Sequence, residues 1–334
     1  MTTINKIKGF LMNKKFLGIL GIIVFVLAIF LIAKSSSKNT LKNDQSAVTN
    51  TNANDGLKPE TNEQTDKLFY RKVSASPKPN LSNKQVTEIY AYDFSKNSQK
   101  LIFTDVDEEF SIQQIAGLVS GKLIIFATPL NETIGDLWEI QTDGSGTKKK
   151  ITNNFAASSI EVGNDKIAFI SYDDISNKFV LWTMGLDGGN RKKIKESKTP
   201  ISDPVITESG LSFIRLDNNA SGAIISIGND GANEKEILKA KNETLYSLSY
   251  AKGKYAYIKV EKGAGKENLA DVFIFDTSQN EEKRISNDKE ADQSPMLSQD
   301  GAQIAFSKNN KIWVGKSDGT ELKAIADGDQ PVSF

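Results

Sequence analysis

The sequence predicts an all-β chain folded as a six-bladed β-propeller, behind an N-terminal transmembrane helix and a flexible linker. The first observation is a repeat. An alternating apolar strand followed by an acidic turn recurs six times, at Ile89–Asp93, Leu137–Gly144, Leu181–Gly188, Ile224–Gly231, Val272–Asp276 and Ile312–Gly319. Its aspartates (Asp93, Asp143, Asp187, Asp230, Asp276, Asp318) lie 50, 44, 43, 46 and 42 residues apart. That period matches a propeller blade, a four-stranded sheet that cannot cover both of its faces alone. The second observation is arithmetic: residues 67–334 accommodate six such units. The third is an uncharged apolar stretch at residues 16–33, bracketed by Lys14-Lys15 and Lys34.

Taken from the N-terminus, residues 1–15 carry Lys6, Lys8, Lys14 and Lys15 and no acid, the bias expected of a cytoplasmic end. Residues 16–33 reach the length that crosses a bilayer as a helix and exceed the apolar core of a cleavable signal. They are read as a retained single-pass anchor, with the bulk of the chain outside the cytoplasm. Residues 34–66 are Ser, Asn, Thr, Lys and acidic residues with few large apolar positions. Such a stretch cannot bury enough surface to offset its ordering entropy and is expected to act as a tether.

Within residues 67–334 each unit reads as an inner strand, a turn often containing Gly, an apolar strand, a connection, the aspartate strand, the acidic turn and a polar outer strand. The apolar strands include Ile167–Phe169, Leu211–Phe213, Tyr255–Tyr257 and Ile304–Phe306. Alternation of period two with frequent turn signals favours an all-β chain. Leu68–Lys72 reads as the second strand of a unit that lacks its inner one, and residues 331–334 read as an inner strand with nothing after it. The C-terminal residues are therefore expected to complete the first blade and close the ring.

The stretch Arg284–Ser307, with Pro295, Ser298, Asp300, Gly301 and Ile304–Phe306, followed by Asp318-Gly319, resembles the repeat of TolB-type, WD-repeat-like β-propellers. The resemblance spans about residues 67–334. It implies the propeller fold and no particular partner, because the propeller domains of prolyl-oligopeptidase-like enzymes carry similar repeats.

Composition narrows the function. Forty-two basic residues balance 42 acidic ones, so no basic footprint for nucleic acid exists. The chain has no cysteine and no histidine, which removes thiolate and imidazole metal ligands and the His-dependent nucleophile arrangements. No Gly-x-Ser-x-Gly elbow, P-loop or dinucleotide fingerprint occurs. No cofactor and no enzymatic activity are expected.

The acidic turns read as hairpins rather than calcium loops, since Asp-Gly between alternating strands supplies a turn needing positive φ. The acid-rich run at residues 105–109 reads as a solvated loop between blades. Trp138, Trp182 and Trp313 occupy related strand positions and are expected to pack between blades.

The connections from apolar strand to aspartate strand vary in length where the acidic hairpins do not, and all of them leave the same rim. Variable loops on a rigid scaffold carry recognition. The candidate binding residues are therefore Asp173, Asp174, Asp217, Asn218, Lys262 and Lys266. The expected function is a membrane-anchored, extracytoplasmic scaffold at the cell envelope that binds an envelope or surface protein, with a glycan as second candidate. The alternative is a carbohydrate-active or other hydrolytic propeller using carboxylates at the channel mouth.

Overall fold

The computed structural model describes residues 66–75, 85–106, 110–130, 132–163, 165–261, 270–287 and 290–332. The expected cytoplasmic segment 1–15, anchor 16–33 and linker, as far as residue 65, lie outside them. Among the described residues no helix is long and apolar enough to cross a membrane.

Twenty-four described strands form six four-stranded antiparallel sheets, confirming the six-bladed propeller. Blade one holds β1 (Lys67–Ala75), β2 (Gln85–Asp93) and β3 (Ser98–Thr104). Blade two holds β4 (Phe110–Val119), β5 (Lys122–Pro129), β6 (Asp136–Gln141) and β7 (Lys148–Lys150). Blade three holds β8 (Ser159–Val162), β9 (Ile167–Asp173), β10 (Lys178–Met184) and β11 (Lys192–Ser197). Blade four holds β12 (Ile201–Thr207), β13 (Gly210–Leu216), β14 (Gly222–Ile227) and β15 (Lys235–Lys239). Blade five holds β16 (Glu243–Ala251), β17 (Lys254–Glu261), β18 (Ala270–Asp276) and β19 (Glu281–Arg284). Blade six holds β20 (Asp292–Leu297), β21 (Gln303–Lys308), β22 (Lys311–Lys316) and β23 (Lys323–Asp327). The last strand, β24 (Asp329–Val332), pairs with β1 and supplies the missing inner strand of blade one.

Burial explains why the second strand of each blade reads as a continuous apolar run. Ile167–Ile170, Leu211–Ile214 and Tyr255–Ile258 are buried at every position, because a neighbouring blade covers each face of the sheet. Outer strands have one flank in water: Lys148–Lys150 and Glu281–Arg284 are exposed throughout. Charge on such an edge deters pairing with another chain.

The core is divided into six apolar clusters, one per seam. Ile115, Ile125 and Ile140 meet Phe69, Ile89 and Phe103 between blades one and two. At the closing seam Leu68, Tyr70 and Tyr92 of blade one meet Ala305, Ile312 and Val314 of blade six. The tryptophans sit in these seams as expected. The Trp138 ring lies 5.0 Å from that of Phe110, and Trp182 stacks on Phe169 at 6.2 Å. Trp313 packs on the cluster between blades five and six, with the Lys308 ammonium 4.2 Å above its ring.

The repeated aspartates build turns. Asp143, Asp187, Asp230, Asp276 and Asp318 each accept from the backbone amide two residues ahead, at 2.7–2.9 Å. Asp93 accepts from the Ser95 hydroxyl and the Lys96 amide. Where glycine follows, it takes positive φ, as in Gly231 at +87°. A Cβ on Gly231 would meet the Ile194 carbonyl of blade three at 2.4 Å, so this hairpin also needs glycine to seat against its neighbour. Gly231→Ala should cost roughly 1–3 kcal/mol in a denaturant melt. Gly121→Asn, at φ +70° in open space, should leave stability within about 0.5 kcal/mol.

The solvated acidic loop expected at residues 105–109 is wrong at its first residue. Asp105 is buried, and its carboxylate accepts from the amides of Thr87 (2.7 Å) and Ile112 (3.1 Å), tying blade one to blade two. The chain passing between blades leaves buried amides that need an acceptor. Thr152 and Ser286 do the same job for Leu137 and Val272, both at 2.9 Å. Residues 107–109 lie outside the described residues.

Candidate binding face

In an antiparallel meander successive connections alternate between the two ends of the strands. The turns from first to second and third to fourth strand therefore share one rim, the hairpin rim. The connections from second to third strand share the other rim with the links between blades.

The four described sequence-chosen residues, Asp173, Asp174, Asp217 and Asn218, fall on this second rim, but two of them are occupied by their own loops. Asp173 accepts from the Ile175 amide (3.0 Å) and from the amide and hydroxyl of Ser176 (3.3 and 2.7 Å). These hydrogen bonds, the Ser176 hydroxyl foremost, hold its carboxyl below the usual range. Asp217 accepts from the amides of Asn219 (2.8 Å) and Ser221 (2.9 Å). Asp174 and Asn218, each the next residue along, are exposed at the loop tips. Asp173 and Asp217 therefore set loop shape, and their neighbours face solvent. Lys262 and Lys266 lie outside the described residues.

Sequence reasoning missed the inner wall. The inner strands β12, β16, β20 and β24 each carry a non-glycine residue at positive φ: Asp203, Ser247, Ser294 and Gln330, at +45° to +56°. Each lies at a break in register with the second strand. Three precede a proline (Pro204, Pro295, Pro331), which was the one available sequence signal. These bulges turn backbone amides and short polar side chains toward the next blade.

A polar ladder follows around the ring. Arg71 donates to the Gln113 carbonyl (2.9 Å), linking blades one and two, and Gln114 to the Ile160 carbonyl (3.0 Å), linking two and three. The Asp203 amide donates to Ser159 Oγ (3.2 Å), linking three and four. The Ser247 amide donates to the Asp203 carboxylate, linking four and five. The Leu297 amide donates to Ser249 Oγ (3.0 Å), linking five and six.

Three acidic side chains act on Tyr246 of this wall, two from inner strands and Asp271 from β18. Burial pushes the Asp203 carboxyl up, opposed by hydrogen bonds from Ser202 and the Ser247 amide. Asp292, at the start of β20, is fully buried. Asp271 is buried beside Arg284, whose Nη2 lies 2.6 Å away. Tyr246 on β16 feels all three: burial first, then Asp292, Asp203 and Asp271, raise its phenol. Alternation along β8 turns Ile160 and Val162 into the seam with blade two and leaves Glu161 on the face of Ser159, toward blade four. Burial alone pushes the Glu161 carboxyl up to about 8. Among the described residues, no cluster of three or more acidic side chains has the geometry to hold a metal ion.

The comparisons agree with this architecture. The description "Dipeptidyl peptidase IV (DPP IV) N-terminal region" matches residues 250–334. No curated protein matches the sequence. Among solved structures, TolB from Acinetobacter baumannii superposes with a TM-score of 0.59 at 14% identity, over 80% of this chain and 67% of that one. A putative TolB from Agrobacterium tumefaciens gives 0.56 at 10% identity, over 80% and 92%. A chain of a nidogen/laminin complex gives 0.54 at 11% identity, over 80% and 97%. At these identities the likeness is one of fold, and the chain resembles TolB as a six-bladed β-propeller.

Proposed function

We propose that the protein is a propeller scaffold, held to a membrane by residues 16–33 and displayed outside the cytoplasm, whose variable rim binds an envelope or surface protein. The observation that carries this reading is the asymmetry of the two rims. The hairpin rim is built from repeated, self-satisfied aspartate turns. The other rim carries connections of unequal length with exposed tips such as Asp174 and Asn218. Register adds an orientation. Lys67, opposite Asp93, begins β1 at the hairpin rim, and the Phe94 amide donates to the Asp66 carbonyl there. Asp66, where the described chain begins, therefore lies at the hairpin rim, opposite the variable rim.

Crosslinking in intact cells, followed by solubilisation and affinity capture of the full chain, tests this. Recovery of a discrete envelope protein is expected. Replacing residues 262–269 by a two-residue turn should leave the melt within about 2 °C, because loops tolerate length changes, while reducing capture severalfold. Recovery of the chain in the soluble fraction with no partner would refute the reading.

A second reading, a hydrolytic propeller, draws on the Asp203, Asp271 and Asp292 group around Tyr246. Hydrolysis of a glycan or peptide substrate, abolished by Asp203→Asn and by Asp292→Asn in variants that melt normally, would favour it.

A further inference from the structure

The exposed large apolar side chains are not scattered. Five occur among the described residues: Val73, Leu101, Leu130, Ile134 and Ile175. Only Leu101, on the outer strand β3, is away from the variable rim. Val73 sits where β1 runs into its connection, Leu130 and Ile134 lie in the link from β5 to β6, and Ile175 lies in the link from β9 to β10. They therefore occupy three consecutive blades. No large exposed apolar side chain stands on a described turn of the hairpin rim. Ile175 is 99% exposed, on a loop held in shape by the Asp173 cap and by Asn177 at φ +54°. A rigid loop that presents a whole isoleucine to water has no folding reason to do so, and such exposure marks an interaction surface.

The charges within the β5–β6 and β9–β10 links have one sign, whereas Lys72 adjoins Val73 on blade one. Glu132, Asp173 and Asp174 are exposed within the same two links, and neither link, over residues 130–135 and 173–177, contains a lysine or arginine. Two copies meeting through this face would bring like charges together. Asp66, where the described chain begins, lies at the opposite rim.

We infer that Leu130, Ile134 and Ile175, framed by Glu132, Asp173 and Asp174, form the docking face on blades two and three for a protein segment presenting aliphatic side chains flanked by lysine or arginine. Apolar contact supplies affinity, and charge sets orientation and encounter rate. This inference rests on the scaffold reading and specifies where on the rim, and to what chemistry, the partner binds.

The test places benzoylphenylalanine at position 175, and separately at positions 101 and 218, in the full chain in its own cells, with adducts mapped by mass spectrometry. The 175 probe should capture one discrete protein at least tenfold more than the 101 probe, through a segment with aliphatic and basic residues. With the partner so identified, Ile175→Ser should weaken binding about tenfold without moving the melt, because the side chain touches no core. Glu132→Lys with Asp174→Lys should weaken it further. Wild-type binding should fall as salt rises from 10 mM to 1 M, where the screening length drops from about 30 Å to about 3 Å. Capture at 175 no greater than at 101, a captured segment without basic residues, or a self-adduct would overturn the inference. Capture at 218 with none at 175 would overturn it while leaving the scaffold reading intact, and no capture at any rim position would sink both.

Discussion

A chain ending at residue 328 melts roughly 10 °C or more below the full chain. β24 is the inner strand of blade one: Val332 is buried opposite Phe69, and Asp329 grips Arg71 through two hydrogen bonds, Nε to Oδ1 and Nη2 to Oδ2, both 2.9 Å. The same Arg71 donates its third nitrogen to Gln113 of blade two, so a single guanidinium joins the C-terminal strand, the first blade and the second. Removing the strand opens the edge of β1 and withdraws the apolar cover of Val332 from the seam between blades one and two. A loss of about 3–5 kcal/mol corresponds to a fall of that size in a domain this large. Arg71→Ala should cost about 1–3 kcal/mol, since a half-buried bidentate pair is broken and Asp329 keeps its charge. A peptide spanning residues 327–334, added in trans, should restore part of the lost stability to the truncated chain. A truncated chain that melts with the full one would show that the ring does not depend on this closure.

Glu161→Gln raises stability at pH 9 by on the order of 3 kcal/mol and leaves it nearly unchanged at pH 4. The direction follows from the shift. In the fold the Glu161 carboxyl is pushed up to about 8 by burial, against about 4.5 when exposed. Below pH 4.5 it is protonated in both states and costs nothing. Between 4.5 and 8 the unfolded chain releases the proton and the folded chain keeps it, so stability declines as pH rises. Above 8 the penalty is complete. The side chain retains some contact with solvent, which keeps the effect below the full linkage value. Thermal melts of both proteins across pH 4–9 read it directly, and parallel curves would place Glu161 in water. The other acidic side chains of the inner wall do not mask the result, because the comparison is between proteins that differ only at Glu161.

Much of the fold was legible because the repeat is local. Period-two alternation, Asp-Gly turns and fully apolar second strands are written within stretches of a few residues, and each reports its own strand. Ring closure was legible too, since Leu68–Lys72 lacked an inner partner that residues near 331 could supply. The described strand begins earlier than that, at Asp329, whose carboxylate pairs with Arg71, and residues 333–334 lie outside the described residues. The site was harder to read. Asp173 and Asp217 looked like binding residues and proved to be loop caps, since a carboxylate two residues before a free amide satisfies that amide first. Asp105 looked solvated and is buried, because which amides lack a partner between blades depends on how blades meet.

The sequence by itself determined the number of blades, the strand order, the turns and the lack of histidine and cysteine side chains, because these depend on side-chain alternation and on residue types. Only the tertiary structure decided which acids face neighbouring blades, where the inner strands bulge, and which apolar side chains are left in water on one rim. Those properties arise between blades forty or more residues apart in the chain, where burial and hydrogen-bond supply are set by neighbours that no local pattern names.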